Sequence, residues 1–360
     1  MLPVGTVSRG VQMEALYARA EYGKVVLKTK ELHGPGPGQL LLEAEVSAIS
    51  PGTEHSLMAG LVLPLPQNVG YSMVASVLEA GEGVEGFKPG DLVVATGEHA
   101  SHLVLDERIC TPAPKDIDKE QAAFFILAHT SMYGIRRAGI QLGEPVVVLG
   151  QGMVGSFAAQ LARLSGAAPV IVTDIDDRRL EYSKEMGVHY AINTEKDPGG
   201  LKDVVDSLGM GGVPVVIEAT GVRGPLDQAF EIVAERGRVI MLSTVLKDDA
   251  APGFYTDLFE KGAALIGGFV NSKPFSLKRN DLTIKVEWPP ILAGRGERFV
   301  SSDIWTSDED IRVYLNLVRY GALDIRPLIT HRYSAGQIPE AYKLVWDRDP
   351  SLLGGLIHWK

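Results

Sequence analysis

Hydrophobic and polar positions divide the chain into two kinds of segment. In the first third, short apolar runs at residues 25–27, 40–46, 74–78, 92–95 and 103–105 are cut by glycine and proline. Many short strands separated by Gly/Pro turns are typical of sandwiches and barrels. The first third therefore predicts a compact, β-barrel-like domain.

From residue 145 onward, apolar strands alternate with helical segments. Strands are predicted at residues 146–149, 170–173, 190–192, 214–217, 238–242 and 264–269. Helices are predicted at residues 119–138, 177–186, 308–320 and 338–347, and the chain finishes on an apolar run at 352–359. Six strands joined by crossovers predict an α/β fold with a doubly wound parallel sheet.

A glycine fingerprint lies between the first two strands of this region. Gly150, Gly152 and Gly155 have the spacing G-x-G-x-x-G, and Met153 and Val154 complete the motif at the start of an Ala/Leu-rich helix. The first glycine permits a tight turn, the second lets the backbone approach a pyrophosphate, and the third lets the helix pack against the strand. The N-terminus of the helix offers N–H groups and a positive dipole end to phosphates. The pattern predicts a dinucleotide site.

Asp174 ends the second strand, 19 residues after Gly155. A carboxylate there can accept hydrogen bonds from the adenosine-ribose hydroxyls, and it repels a 2′-phosphate. NAD is therefore favoured over NADP. Arg178 and Arg179 follow at a helix start, where they either soften that preference or face solvent.

Composition and charge narrow the function classes. The 360 residues are enough for two domains, and the net charge of −10 with a pI near 5.4 argues against a nucleic-acid partner. The single cysteine, Cys110, excludes an intrachain disulfide framework and a multi-cysteine zinc site. Neither a secretory leader nor an uncharged apolar run of 18 residues is found, so we expect a cytoplasmic protein that does not enter a membrane.

Several motifs, in this order, resemble the medium-chain dehydrogenase/reductase superfamily, the zinc-type alcohol dehydrogenase-like proteins. They are Lys88-Pro89-Gly90-Asp91, Arg137-Ala138-Gly139-Ile140, Val216-Ile217-Glu218-Ala219-Thr220-Gly221, Arg326-Pro327-Leu328-Ile329-Thr330-His331 and Pro339-Glu340-Ala341-Tyr342. The resemblance implies a GroES-like catalytic domain at residues 13–125 and 271–360, and a Rossmann domain at 126–270. It also implies a cleft between the two, hydride transfer with a nicotinamide, and a homodimer formed through the sheet edge near residues 264–270. Residues 1–12 show no periodicity and are expected to be a mobile extension.

The same resemblance assigns further cofactor contacts. Thr130 is expected near the nicotinamide end. Thr220, Ser243 and the backbone around Gly268 are expected along the path of the cofactor. Each of these residues can equally be part of the core or of a turn.

The sequence departs from the zinc-dependent members at every ligand position. The family's cysteine is replaced by Pro51 (or by Ser50 in a shifted alignment), and its histidine by Tyr71. The third ligand falls within residues 125–128, none of which binds metal, and the four-cysteine lobe is missing. Because a catalytic zinc needs three Cys, His or carboxylate ligands, we predict a protein without zinc.

Without a metal, another group must polarise a carbonyl or accept the proton of an alcohol. Tyr71 is the first candidate, although it can instead simply fill the space of the ligand. Thr53 matches the family's relay hydroxyl, and His55 is a relay imidazole only in the shifted alignment. Glu54 acts either as an acid or as a carboxylate that holds its loop by hydrogen bonds.

Three functions remain open at this point. The first is a zinc-independent dehydrogenase that uses NAD to oxidise a secondary alcohol or NADH to reduce the corresponding ketone. Its substrate would be a sugar, a cyclitol or another polar ring. The Gly-Thr-Glu and Gly-Tyr segments resemble zinc-lacking members that include bacteriochlorophyllide dehydrogenases. The second is a quinone or enone reductase, whose family members commonly prefer NADPH. The third is a catalytically silent NAD-binding sensor.

Overall fold

The computed structural model describes residues 13–243, 260–268 and 306–360. The expectation for residues 1–12 lies outside these ranges, and so do residues 269–270 of the predicted strand and dimer edge and residues 271–305 of the predicted catalytic domain. The strands are β1 (Met13–Glu21), β2 (Lys24–Leu32), β3 (Gln39–Ile49), β4 (Gln67–Asn68), β5 (Met73–Ala80), β6 (Leu92–Ala95), β7 (His102–Asp106), β8 (Cys110–Pro112), β9 (Val146–Leu149), β10 (Val170–Asp174), β11 (Tyr190–Asn193), β12 (Val213–Glu218), β13 (Val233–Met241), β14 (Ala264–Gly267), β15 (Ile329–Ser334) and β16 (Gly354–His358). The helices are α1 (Pro51–Met58), α2 (Lys119–Ala122), α3 (Phe125–Ala138), α4 (Met153–Leu164), α5 (Asp177–Glu185), α6 (Gly200–Ser207), α7 (Arg223–Ile232), α8 (Ser307–Arg319) and α9 (Ile338–Asp347).

These elements divide into two units. Of the described residues, unit one contains 13–126, 306–319 and 329–360, and unit two contains 127–243, 260–268 and 320–328. Each unit has its own buried apolar clusters.

Unit one is built on two sheets. A small antiparallel sheet has the order β2-β1-β4, and a larger one has the order β15-β16-β3-β5-β6-β8, with β7 also paired to β3. β16 pairs antiparallel with β3, so the returning end of the chain extends the sheet begun in the first third. One core cluster correspondingly joins Ala18 and Ile49 to Tyr342 and Ile357.

Unit two is a parallel sheet of six strands in the order β11-β10-β9-β12-β13-β14. The central strand β9 is buried along its whole length, as expected for a parallel strand covered on both faces. This order is that of the doubly wound dinucleotide-binding fold, in which the strand order reverses beside the first strand. The predicted α/β class with a Rossmann sheet is confirmed.

Two local predictions need correction. The helix expected over residues 119–138 is two helices, because after α2 the amide of Phe124 bonds to the carbonyl of Gln121, three residues back, and tightens the turn. The Gly-Thr-Glu segment, interpreted as a loop, is helix α1, with Ser50 at the N-cap and Pro51 in the first turn. Proline in the first turn is a recognised signal for the start of a helix, and the sequence analysis missed it.

Candidate functional site

The glycine loop follows β9 in unit two and is tightly packed on one side. Gly150 has a φ of +88°, and a Cβ there would lie 2.6 Å from Cγ2 of Thr220. A Cβ on Gly155 would lie 1.8 Å from the carbonyl oxygen of Gly150. At Gly152, by contrast, a Cβ would have no heavy atom within 4 Å. The loop is therefore tightly packed against the protein at Gly150 and Gly155. It has free space at Gly152, the glycine that is expected to face a pyrophosphate.

Helix α4 begins at this open position. Gly152 is its N-cap, no side chain caps it, and the first helical hydrogen bond runs from Ser156 N to Gly152 O over 2.9 Å. The N–H groups of Met153, Val154 and Gly155 precede that bond, and the first amides of a helix have no partner within the helix. Uncapped amides and the positive end of the dipole are the features that bind a phosphate.

Asp174 lies at the carboxyl end of β10 and is buried. Its Oδ2 accepts a hydrogen bond from Gln151 N at 2.7 Å, and its Oδ1 accepts from Ile175 N at 2.8 Å and Asp176 N at 2.9 Å. A carboxylate has about four acceptor sites, so one is left for a ribose hydroxyl. The carboxylate thus fixes the glycine loop as well as being able to bind a ligand, a role that the sequence analysis did not foresee.

Arg179 lies close to this carboxylate. Its Nη1 lies 3.8 Å from Asp174 Oδ2, and its buried Nε has no hydrogen-bond partner in the described part of the chain. Arg178, in contrast, is exposed and donates to Asp176. Of the two arginines, only Arg179 lies beside Asp174.

The residues expected along the rest of the cofactor path lie in unit two as well. Thr220 and Ser243 both donate their hydroxyls to Glu218, a fully buried residue that ends β12. Gly268 is buried, and its N–H donates to Met241 O at 2.8 Å. Thr130 is half-buried in α3. In the sequence Glu218 stands out only as part of the motif at residues 216–221, although a lone acid that ends a buried strand is itself a signal.

The catalytic candidates lie in unit one. Tyr71 is almost completely buried, with 4% of its surface exposed. Burial and then the nearby Glu54 carboxylate raise the pKa of Tyr71 to about 12, although hydrogen bonds from the Ser50 and Thr53 side chains act in the opposite direction. Thr53 is half-buried in α1. At neutral pH Tyr71 is therefore a protonated phenol, able to donate a hydrogen bond but not to act as a base.

Glu54 is fully buried and belongs to a network that joins distant parts of the sequence. Its Oε1 accepts from Ser50 N at 2.9 Å, and its Oε2 accepts from the hydroxyl of Tyr342. Burial, and then Glu54, hold the pKa of Tyr342 well above its ordinary value. The interpretation of Glu54 as a carboxylate that holds its segment by hydrogen bonds matches these contacts.

His99 completes the network. Its Nε2 lies 3.5 Å from Glu54 Oε2, and its Nδ1 lies 2.7 Å from Ser47 Oγ, which also accepts from Trp359 Nε1. A Cβ on Gly70 would lie 2.4 Å from His99 Cγ, so the residue before Tyr71 packs directly on this ring. No motif in the sequence linked His99, Ser47 or Tyr342 to the Gly70-Tyr71 segment.

His55 makes a separate set of contacts. Its ring stacks on Trp346 with centroids 5.7 Å apart, and Arg348 Nε lies 3.2 Å from its Nε2. Partial burial and the Arg348 guanidinium lower the pKa of His55. These contacts are those of a half-buried surface histidine.

The residues at the family's ligand positions do not fit a zinc ion. Pro51 and Tyr71 offer no ligand atom of the usual kind, and the residues at 125–128 are buried apolar side chains of α3. Within residues 13–243, 260–268 and 306–360, no group of three or more His, Cys, Asp or Glu side chains could hold a metal ion. The helices of the same ranges include none that is long and apolar enough to cross a membrane.

Comparison with known proteins gives concordant matches. A family model described as zinc-binding dehydrogenase matches residues 154–283. An L-threonine 3-dehydrogenase of Idiomarina loihiensis is 30% identical over 215 residues, which cover 50% of this chain and 61% of that protein. A 2-desacetyl-2-hydroxyethyl bacteriochlorophyllide A dehydrogenase of Rhodobacter capsulatus is 27% identical over 347 residues, or 91% of this chain and 93% of that protein.

A solved structure shares the fold over nearly the whole chain. It is a protein of Sinorhizobium meliloti 1021, described as a zinc-binding dehydrogenase bound to NADP, with a TM-score of 0.75. The match covers 97% of this chain and 100% of the other at 21% identity. At that identity, the likeness establishes the fold.

Proposed function

The chain belongs to the medium-chain dehydrogenase/reductase superfamily, and from this premise we propose that it is a dehydrogenase that transfers hydride between NAD(H) and a secondary alcohol or ketone without a catalytic zinc. The observation that carries the proposal is the buried Tyr71 phenol. By the sequence resemblance it stands where the family places a zinc ligand, and the side chains of Ser50 and Thr53 are near enough to act on its pKa.

The choice of NAD rests on Asp174. Its buried carboxylate would repel the 2′-phosphate of NADP, and its three backbone donors keep it from turning away. Arg179 partly offsets this charge from 3.8 Å. We expect catalysis with NAD(H) to exceed that with NADP(H) at equal concentration.

The nicotinamide supplies or accepts the hydride when it is bound. Reduction of a ketone then consumes one hydride and one proton, and oxidation of the alcohol returns both. The protonated Tyr71 hydrogen-bonds the substrate oxygen and stabilises the negative charge that develops on it. Thr53, which lies near Tyr71 and is partly exposed, passes the proton between that oxygen and water.

The names of the relatives support a secondary alcohol as the substrate class. One is named a 3-dehydrogenase of threonine, and another, matched over 91% of this chain, is named a dehydrogenase of a hydroxyethyl-substituted bacteriochlorophyllide. A hydroxyl on a carbon beside a polar or ring group is common to both names. We propose a substrate of this type, either a polyol or a hydroxyalkyl-substituted ring.

The first experiment compares cofactors and substrates in the purified full chain. NADH and NADPH are titrated by fluorescence, and turnover is followed at the nicotinamide absorbance band with polyols, hydroxyalkyl-substituted rings and quinones. Turnover of a secondary alcohol with NAD supports the proposal. Tight NADPH binding with quinone turnover would instead indicate a quinone or enone reductase, and binding without turnover on the whole panel would indicate a silent nucleotide-binding protein.

Two further measurements test the metal-free mechanism. Elemental analysis is expected to find no zinc at stoichiometric level, and about one zinc per chain would overturn the site assignment. Tyr71→Phe is expected to lower kcat/KM by roughly a hundredfold, a typical cost of removing one hydrogen-bond donor to a developing oxyanion, while leaving the Kd for NADH unchanged. An unchanged kcat/KM would show that Tyr71 serves only in packing.

A further inference from the structure

Glu218 holds together the two segments that follow β12 and β13 in unit two. We propose that it is a positioning residue for the nicotinamide half of the cofactor site and that it does not touch the cofactor itself. The inference rests on the dinucleotide-binding role of this unit, but on neither the substrate nor the catalytic residue proposed above.

The carboxyl group of Glu218 is fully buried and has four hydrogen-bond donors. Its Oε1 accepts from Thr220 N at 2.6 Å, from Gly221 N at 3.1 Å and from the Thr220 hydroxyl. Its Oε2 accepts from the Ser243 hydroxyl. Because Thr220 and Ser243 are both partly exposed, the carboxyl group lies one layer below a surface formed by these two residues.

The backbone of Glu218 fixes the same region. Leu242 N donates to Glu218 O at 2.8 Å, so the end of β13 is held level with the end of β12. Thr220 also packs against the glycine loop, since a Cβ on Gly150 would lie 2.6 Å from its Cγ2. One residue thus sets the distance between the glycine loop, the turn after β12 and the turn after β13.

The sheet order indicates which half of a dinucleotide this region serves. β9 is central, with β10 and Asp174 on one side and β12 and β13 on the other. A doubly wound sheet binds a dinucleotide across the point where the strand order reverses, with one mononucleotide on each half. Since Asp174 is placed to bind the adenosine ribose, the half formed by β12 and β13 receives the nicotinamide mononucleotide.

The test compares NADH with ADP-ribose, which retains the adenosine half and lacks the nicotinamide. Glu218→Ala should raise the Kd for NADH by on the order of fiftyfold. Glu218→Gln should raise it by only about fivefold, because the amide oxygen can still accept hydrogen bonds from the turn after β12. The Kd for ADP-ribose should change less than about twofold in both variants. Direct titration of the full chain by fluorescence and calorimetry measures both, and thermal unfolding reports whether Glu218→Ala folds.

Two matched variants calibrate this comparison. Glu144 lies just before β9, at the opposite end of the same sheet, and its carboxylate accepts hydrogen bonds from Arg238. Glu144→Gln removes this carboxylate and should change neither the Kd for NADH nor that for ADP-ribose. Asp174→Asn should weaken NADH and ADP-ribose equally, since it acts on the adenosine half.

The inference is overturned if Glu218→Gln weakens NADH and ADP-ribose by the same factor, or weakens neither. The former would make Glu218 a residue of general stability. It is also overturned if the parent chain binds no NADH. A parent chain that binds NADH but turns over no substrate would contradict the proposed function and leave this inference intact.

Discussion

Gly152 and Gly155 stand three residues apart, and replacing them with alanine should have opposite effects. Gly155→Ala should lower the stability of the fold, whereas Gly152→Ala should leave stability nearly unchanged and weaken NADH binding. At Gly155 the new Cβ would lie 1.8 Å from Gly150 O, whereas ordinary contact begins at 3.4 Å. Gly150 cannot easily retreat, because its N–H bonds to Thr173 O at 2.9 Å and Thr220 packs behind it. At Gly152 the φ is −68° and the new Cβ meets open space.

The expected magnitudes follow from these surroundings. Overpacking usually costs about 1–3 kcal/mol, and a clash with rigid backbone belongs at or above the upper value, so Gly155→Ala should lose roughly 3 kcal/mol or more. For a cooperative unit of about 150 residues, the size of unit two, that corresponds to a fall in Tm of about 6–12 °C. Gly152→Ala loses a good N-cap residue but restricts the unfolded chain, so its stability should change by about 1 kcal/mol or less.

Binding should show the reverse pattern. A methyl group at Gly152 would keep the pyrophosphate from the amides of α4, and losing two charge-assisted hydrogen bonds costs at least about 3 kcal/mol, or on the order of a hundredfold in the Kd for NADH. Thermal unfolding and NADH fluorescence titration measure the two effects separately. If Gly152→Ala binds NADH as tightly as the parent chain does, the pyrophosphate does not cross this loop. If Gly155→Ala keeps its Tm within about 2 °C, the backbone at Gly150 can move aside to relieve the clash.

Three further predictions concern named side chains. Tyr342→Phe removes the hydroxyl that donates to the buried Glu54 and should lower the free energy of unfolding, measured in urea, by about 1–3 kcal/mol. The control Tyr22→Phe, at a 73% exposed position, should change it by less than about 0.5 kcal/mol. Equal losses in the two variants would contradict the hydrogen-bond network around Glu54. Tyr71 has its pKa raised from 10 to about 12, so the folded chain keeps a proton that the unfolded chain loses. The free energy of unfolding should therefore fall as pH rises from about 10 to 12, and Tyr71→Phe should remove up to about 2.7 kcal/mol of that fall; an unchanged slope would refute the assignment. Asp174→Asn should raise the ratio of NADPH to NADH affinity by about tenfold or more, as one like-charge repulsion is lost, and an unchanged ratio would mean that Arg179 already neutralises the site.

The sequence predicted well where the burial pattern alone decides the structure. β6, β9 and α9 were located to the residue, and most other predicted strands to within three residues, whereas β2 and β13 extend five residues beyond the predicted runs. Each of β6 and β9 is an apolar run that is buried throughout, and α9 has proline near its start and a buried apolar face. Because the sheet order of unit two follows from alternating strands and helices with right-handed crossovers, the fold class was accessible as well.

The contacts around Tyr71 were not accessible in the same way. Glu54 bonds to Tyr342, 288 residues away, and His99 to Ser47, 52 residues away. No periodicity or local motif encodes such pairs, because the first depends on how α9 returns to unit one and the second on how the segment before β7 packs against β3. Glu218 differs, since an acid at the end of the apolar strand β12 could have been identified as a buried site from its position alone.

The pairing of β16 with β3 has a consequence for how the protein is made. Unit one cannot complete its larger sheet, or supply Tyr342 to Glu54, until residues 338–358 have left the ribosome. Most of unit two, from α3 to β14, is synthesised before that point. We expect the nucleotide-binding unit to form while unit one still has an unpaired strand edge at β3 and a buried acid without its partner. During synthesis, the half of the protein that comes first in the sequence is thus the half that is finished last.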